Sequence, residues 1–491
     1  MSAAASPERS ERMSRVDTAW LRMDTDANLM MIVGVWLMTP RLTLAELQQR
    51  IEHSLLAYPR FRQKVVEDAS GARWVTDTEF DIRQHVPRVS LRPRPGETRL
   101  ESLKRYVAEQ AITPLDPSRP LWQFQLIENL DGEYSAMIPR IHHCIGDGIA
   151  LMSVVLSIAD GGKAPPERKP HEAPQDEGDG DWLADTVIKP FAELTIKAIG
   201  LTGQGLGKGM AMLAQTGAPM AGSLEAARMG MRVMSDVSAL ALMPDDSPTR
   251  LKGKATPGKR VAWGEPLPLD QVKAVGKVLG GSINDVLLSC VAGAIGDYLR
   301  SKGDDPVGLH IRAMIPVNLR PMEEAYKLGN RFGLVPLVLP IGIANPIERL
   351  IQVRAGMAEL KGSYQPLLTM GLLALSGLVV KTVQSAITDL FAKKATAVMT
   401  NVPGPKEPLF FCGRSVEQVM FWVPQSGDIG MGVSILSYAG GVQFGLITDA
   451  KMCPDPEAII ERFAPEFDKL LWLALMAPWP GEPGSPQGVE P

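Results

Sequence analysis

The chain has 491 residues, more than one ordinary domain accommodates, so two domains of roughly 150–220 residues are expected. Apolar residues at 45% and charged residues at 22% sit near globular averages and predict sizeable buried cores. A formal net charge of −4 supplies no basic face, so no nucleic-acid partner is expected. The polar N-terminus MSAAASPERSERMSRVDTAW lacks the apolar run of a signal peptide. Cys144, Cys290, Cys412 and Cys453 are scattered without a C-x-x-C pair, as free thiols of a reducing compartment would be, and predict neither a disulfide framework nor a zinc site. No apolar stretch reaches the ~18 residues of a membrane span. A cytoplasmic chain, soluble or peripheral to a membrane surface, is therefore expected.

Taken in chain order, Leu29 to Met38 reads as a strand. A helix follows, with Thr43 and Glu46 spaced as a capping box and Leu44, Leu47, Ile51 and Leu55 on one face. Strands are expected at Leu121 to Glu128 and Tyr134 to His142, the second marked by Pro139 as an edge or a bulge. A helix then runs from about Gly148 to Ile158. Residues 161–181, rich in Pro, Gly and acid, read as a linker. Residues 182–244, rich in Ala, Met, Gly and Leu, read as amphipathic helices of a crossover. A second mixed domain opens near Lys259, with a helix beginning at Ser282 and Asp285 and strands at 309–317 and 332–340. Strands at 416–424, 430–438 and 441–449 read as an antiparallel meander, and a helix at about 455–474 ends the domain before a Pro-rich tail. The expected boundaries are 1–160, 161–258, 259–475 and 476–491.

The chemistry concentrates in His142-His143-Cys144-Ile145-Gly146-Asp147-Gly148, two adjacent histidines among six in all, at a strand-to-helix junction. Gly-Asp-Gly alone would suit a turn, but a turn does not explain paired histidines. Imidazole titrates near neutral pH, so an unprotonated His143 could take the proton from an alcohol that attacks a thioester. Asp147 has two readings. It could fold back to fix the ring's orientation and tautomer, or it could pair with an arginine from elsewhere and serve as architecture. The flanking glycines favour the second. Cys144 lies in an apolar setting with no activating cation and is not expected to be a nucleophile. No H-E-x-x-H is present, and adjacent histidines cannot form a helical metal pair, so no metal is expected. GKATPGK at 253–259 has phosphate-loop spacing but Arg260 where Ser or Thr is required, and no G-x-S-x-G elbow occurs.

HHCIGDG matches the HHxxxDG signature, and the chain resembles the superfamily of CoA-dependent acyltransferases related to chloramphenicol acetyltransferase, which includes condensation domains of peptide synthetases. Along nearly its whole length it resembles the bacterial wax ester synthase/diacylglycerol acyltransferase family. The segments that carry this are SRVDTAWLRMDTDANLMMIVGVW, Pro120-Leu121-Trp122, Asn284-Asp285, RAMIPVNLR from Arg312 to Arg320, Gly329-Asn330, and TNVPGP from Thr400 to Pro405.

The resemblance implies an α/β (α+β) fold of two chloramphenicol-acetyltransferase-like domains. Each is a mixed sheet with flanking helices, joined by a long crossover, with the active site at their interface. It implies direct transfer from acyl-CoA to a diacylglycerol or fatty alcohol hydroxyl in a tunnel between the domains, with no covalent intermediate and no cofactor beyond the acyl-CoA co-substrate. By position, His143 is the base, His142 its structural neighbour, and Asp147 and Gly148 hold the loop. Asn284 either faces the thioester oxyanion from a helix N-terminus or caps the helix. Arg312 and Arg320 either pair with Asp147 or CoA phosphates, or are solvated strand arginines. The apolar stretch from Pro366 to Val380 reads as a buried or interfacial helix. The methionines clustered from Met210 to Met243 fit either a core or a lipid-contacting crossover, the latter supported by the interleaved Lys189, Lys197 and Lys208 and opposed by four intervening glycines. Peripheral contact with a membrane or lipid inclusions would follow. The alternatives are a condensation-type enzyme using a carrier-protein thioester, and an inactive lipid-binding homologue.

Overall fold

The computed structural model describes residues 10–68, 71–162, 243–321, 324, 326–361, 363, 365–377 and 381–477. The expected linker and crossover helices between 163 and 242, with their methionines and lysines, lie outside the described residues, as does the tail beyond 477.

In the first half, β1 (Ser10–Arg12) and α1 (Arg15–Arg22) precede β2 (Met31–Thr39). The Thr43–Glu46 capping box starts α2 (Leu44–Ser54), which buries Leu47 and Ile51. Then come β3 (Gln63–Asp68), β4 (Gly71–Thr76), α3 (Ile82–His85), α4 (Arg99–Gln110), β5 (Trp122–Asp131), β6 (Tyr134–His142) and α5 (Gly148–Ile158). The second half opens with β7 (Lys259–Trp263), β8 (Leu267–Pro268) and α6 (Leu269–Leu279). A capping box of Ser282 and Asp285 starts the buried helix α7 (Ile283–Ser301). There follow β9 (Ile311–Asn318), β10 (Phe332–Leu339), α8 (Pro346–Leu360), α9 (Gln365–Ser376) and α10 (Lys381–Lys393). The chain closes with β11 (Ala397–Pro403), β12 (Phe410–Phe411), β13 (Arg414–Trp422), β14 (Met431–Tyr438), β15 (Gly441–Asp449) and α11 (Glu457–Leu475).

These strands form a small sheet β1-β4-β3, a sheet β12-β13-β2-β6-β5, and a larger sheet β10-β9-β11-β14-β15-β7 with β8 beside β15. The larger sheet is mixed, because β11 runs parallel to both β14 and β9. The five-stranded sheet is antiparallel throughout.

Two expectations are corrected. The meander over 416–449 holds only for β14 and β15, because β13 leaves it and pairs antiparallel with β2, from Ser415 opposite Thr39 to Trp422 opposite Val33. Alternating apolar residues dictate burial of a strand but not which sheet receives it. Pro139 marks neither an edge nor a bulge, since β6 lies between β2 and β5. Pairing with β2 lapses between Val33 and Trp36 and resumes in the same register. Gly34 faces Pro139 there, and a Cβ at Gly34 would come within 3.0 Å of the proline Cγ. The bulk of the ring is thus met by a residue without a side chain, and the missing N–H donor falls where the pairing lapses.

The returning strand makes the two halves one structure. Val33 and Val35 of β2, Met420 and Trp422 of β13, and Val261, Trp263 and Ile447 of the larger sheet share one buried apolar cluster. The apolar helix α9, which holds the described part of the Pro366–Val380 stretch apart from Gly377, packs against β10 and α1. Its C-terminal end approaches α1 so closely that a Cβ at Gly377 would fall inside contact distance of the Arg15 carbonyl oxygen. Gln384 of α10 also donates to the Ala19 carbonyl at 2.8 Å. Helix α1 is therefore clamped from outside. Gly377→Ala is expected to lower stability by about 1–3 kcal/mol, the usual range for overpacking, and to reduce activity as α1 shifts. Thermal unfolding with a parallel activity assay tests this, and an unchanged midpoint would count against the clamp.

Candidate active site

The HHxxxDG loop joins β6 to α5. The His142 N–H donates to the Leu121 carbonyl at 3.0 Å and the His143 N–H to the Met30 carbonyl at 2.7 Å. Both histidines thus continue the pairing that positions β6. The loop is then stitched to the second half, because Gly329 N–H donates to the Ile145 carbonyl at 3.0 Å and Asp147 N–H to the Gly329 carbonyl at 3.3 Å. Gly329 has φ +104°, a conformation that side chains resist. That requirement accounts for glycine at this position.

Asp147 takes the architectural role. Its Oδ1 caps α5 by accepting from Ala150 N–H at 2.9 Å, and its Oδ2 accepts from Arg331 N–H at 3.0 Å. Arg320 Nη2 lies 3.2 Å from the same Oδ2. The Arg320 guanidinium also donates to the carbonyls of Lys327 at 2.6 Å and Gly329 at 2.7 Å. Neither arginine of the RAMIPVNLR segment is solvated, which corrects the reading of solvated strand arginines. Arg320 is buried against Asp147, and Arg312 is buried with its Nη1 3.7 Å from Asp246 and 3.1 Å from the Pro244 carbonyl. A charge that leaves water needs such partners.

His143 is held by other groups. Its ring stacks on Trp20 with centroids 4.2 Å apart, and Phe332 of β10 lies at 5.6 Å. Its Nδ1 is 2.8 Å from Asn330 Oδ1. The Asn330 Nδ2 donates to Asp17 Oδ1 at 2.8 Å and to the His143 carbonyl at 2.7 Å, which places the amide oxygen against the ring. Nδ1 is then the donor and Nε2 carries a free lone pair. Burial pushes the imidazole pKa down to about 4, with Asp147 and the Asn330 hydrogen bond opposing it. The ring is therefore neutral at physiological pH.

His142 faces elsewhere. The Cys144 N–H points at its Nδ1 from 3.2 Å, and its Nε2 lies 3.4 Å from Asp24 Oδ1. Asp24 in turn accepts from Met30 N–H at 2.6 Å. His142 and Asp24 form the polar end of a cavity of about 310 Å³ lined mainly by Leu21, Leu29, Met31, Leu115 and Leu121. Cys144 is fully buried in the apolar core. At Gly148, the first residue of α5, a Cβ would meet nothing within 4 Å. The structure does not join Asn284 to this cluster. Asn284 is exposed, accepts from Asn401 Nδ2 at 2.7 Å, and leaves the capping of α7 to Ser282 and Asp285.

His143, His142, Asp147 and Gly148 thus share one loop, while Asp17, Trp20, Asp24 and Asn330 complete it. Sequence reasoning assigned those four no role. Their one signal was position, since all four fall within segments that carry the family resemblance.

Comparison with known proteins follows the same lines. The family model for the wax ester synthase/diacylglycerol acyltransferase catalytic domain matches residues 13–287, more than half of the chain, and that for the WS/DGAT C-terminal domain matches residues 328–471. A probable diacylglycerol O-acyltransferase of Mycobacterium tuberculosis (strain ATCC 25618 / H37Rv) is 28% identical over 416 residues, covering 84% of each chain. A putative diacylglycerol O-acyltransferase of the same strain is 26% identical over 453 residues, covering 89% of this chain and 90% of the relative. Among solved structures, the wax ester synthase/diacylglycerol acyltransferase from Marinobacter aquaeolei VT8 has the same fold, with TM-score 0.64 and 20% identity over 95% of this chain and all of that one. The first condensation domain of the CDA synthetase also shares it, at TM-score 0.55 and 15% identity, covering 96% and 97% of the two chains.

Removing one partner of a buried ion pair strands the other, at a cost of about 3–5 kcal/mol. Arg320→Met is expected to lose that much stability by denaturant unfolding, because Asp147 stays buried. A loss below about 1 kcal/mol would show that the pair does not hold the loop.

Proposed function

The chain belongs to the wax ester synthase/diacylglycerol acyltransferase family, and we propose that it transfers a long-chain acyl group from acyl-CoA to the hydroxyl of a diacylglycerol or fatty alcohol. It is an O-acyltransferase. The names of its mycobacterial relatives favour diacylglycerol as acceptor, and that of the Marinobacter protein adds wax ester synthesis. The observation that carries the mechanism is the free Nε2 of His143, left bare by the Nδ1–Asn330 hydrogen bond.

In this mechanism Nε2 accepts the alcohol proton as the oxygen bonds to the thioester carbonyl carbon. The tetrahedral intermediate collapses with cleavage of the C–S bond, and the imidazolium returns its proton to the departing CoA thiolate. The products are an ester and free CoA, and the enzyme ends as it began. Cys144 takes no part, which fits a thiol enclosed in the core, and no cofactor is invoked. The acceptors are lipids, so the enzyme would work at a membrane or inclusion surface. Among the described residues no single helix is long and apolar enough to cross a membrane, which fits peripheral contact.

Palmitoyl-CoA offered hexadecanol or dioleoylglycerol tests this through CoA release and separated products. Wild type is expected to form ester, and His143→Ala to lose about a hundredfold or more. Full activity in the variant would sink the base assignment. Binding of acyl-CoA without turnover would instead favour a lipid-binding homologue. The pH profile is a separate check. The base must be unprotonated, and its pKa is pushed below 6.5 to about 4. Loss of kcat/KM through His143 on acidification is therefore expected near pH 4 to 5. A fall centred near 6.5 would contradict that environment.

A further inference from the structure

We propose that Asn330 and Asp17 are positioning residues that lock His143 in the Nδ1–H tautomer, and that Asp147, the acid of the motif, does not perform this task. The inference rests on His143 acting as the base.

The tautomer has to be imposed. A neutral imidazole free in water prefers its proton on Nε2, which would occupy the atom the reaction needs bare. One acceptor beside Nδ1 reverses the preference only if that acceptor cannot rotate away. Asn330 meets this condition through its other bonds. Its Nδ2 donates to Asp17 Oδ1 and to the His143 carbonyl, at 2.8 and 2.7 Å. Its backbone N–H donates to the same Asp17 oxygen at 3.0 Å. Rotating the amide by half a turn would set its oxygen against a carboxylate and a carbonyl and its NH₂ against the ring. The NH₂ would suit the Nε2–H ring, but the oxygen would lose two donor contacts and face two acceptors in a buried site, which keeps the amide from turning.

Asp17 is suited to this. It lies one turn before Trp20 on α1, so a single helix presents both the carboxylate that fixes the amide and the indole that stacks on the ring. Its side chain is buried, and Ser14 and Arg60 are its other polar neighbours. The lock also suits a buried base. An amide orders the ring without adding a negative charge, whereas a carboxylate on Nδ1 would favour the imidazolium. Asp147 and His142, both on its own loop, also act on the His143 ring.

The test reads the tautomer directly. With ¹⁵N-labelled histidine, the His143 ring nitrogens are assigned by loss of their signals in His143→Gln. Wild type is expected to show a protonated Nδ1 and a bare Nε2. Asn330→Ala and Asp17→Ala are expected to shift the ring toward the Nε2–H form. Each should lower kcat tenfold or more while the KM for palmitoyl-CoA stays within about threefold. A merely structural role would lower activity without moving the tautomer. The proposal is overturned if wild-type His143 carries its proton on Nε2, or if both alanine variants keep the Nδ1–H form. Should an alanine variant fail to fold, the wild-type spectrum still decides, because an Nδ1 without a proton cannot donate to the Asn330 oxygen. The spectrum needs no substrate, so failure of the acyltransferase reading would appear separately, as a locked ring in a protein that transfers nothing.

Discussion

A hydrogen bond of 2.8 Å between His143 Nδ1 and the Asn330 oxygen joins positions 187 residues apart. It has little tolerance for sliding, because a donor–acceptor pair weakens steeply once distance or angle drifts. Much of the surrounding structure serves to hold its two ends still. Gly329 exchanges backbone bonds with Ile145 and Asp147 of the motif loop, Arg320 pairs with Asp147, and α1 is packed against α9. A site shared between two packed halves demands this. If the halves drifted by an ångström, the ring would lose its partner and with it the distinction between its nitrogens.

The five-stranded sheet supplies the larger-scale rigidity. Its strand β13 arrives from the far end of the chain, so the second half contributes to the first by main-chain pairing as well as by contact. The apolar cluster that includes Trp263 and Trp422 fills the space between the sheets. Hinged domains keep a small polar interface, whereas this one is continuous with the core. Substrates would then reach His143 through side-chain and local backbone adjustments more readily than through a wide opening of the two halves.

Local elements were legible in the sequence because their causes are local. The Thr43–Glu46 capping box sits where its spacing placed it, a helix begins after Ser282 as expected, and β6 ends at His142 as its apolar run implied. The architectural role of Asp147 followed from the glycines on either side, although its partner was one of several arginines until Arg320 was seen beside it. Less could be read of what depends on tertiary placement. Nothing along residues 414–422 distinguishes a neighbour of β14 from a neighbour of β2. Asn330 follows a glycine, as countless turn asparagines do, and its value comes from Asp17, 313 positions away. Asn284 illustrates the converse. It opens a long helix, an attractive place for an oxyanion donor, yet its side chain is spent on Asn401.

The split between Asp147 and Asn330 has a chemical logic. In the proposed reaction the thioester releases a thiolate, whose conjugate acid has a pKa of about 8.5, so a proton held by His143 would have to be given up readily. An imidazolium whose pKa is pushed down by burial is a stronger acid than that thiol, and proton return to the leaving group runs downhill. A carboxylate on Nδ1 would have made the first proton easier to take and the last harder to surrender. The acid of the motif is instead consumed by Arg320, a helix cap and a backbone N–H, where its charge is neutralised. A neutral amide holds the ring. In that mechanism the weak base that results would not deprotonate an alcohol in advance, so proton removal would accompany attack on the carbonyl carbon. Under the proposed mechanism the alcohol and the thioester would then meet in the same site, as direct transfer without an acylated enzyme needs.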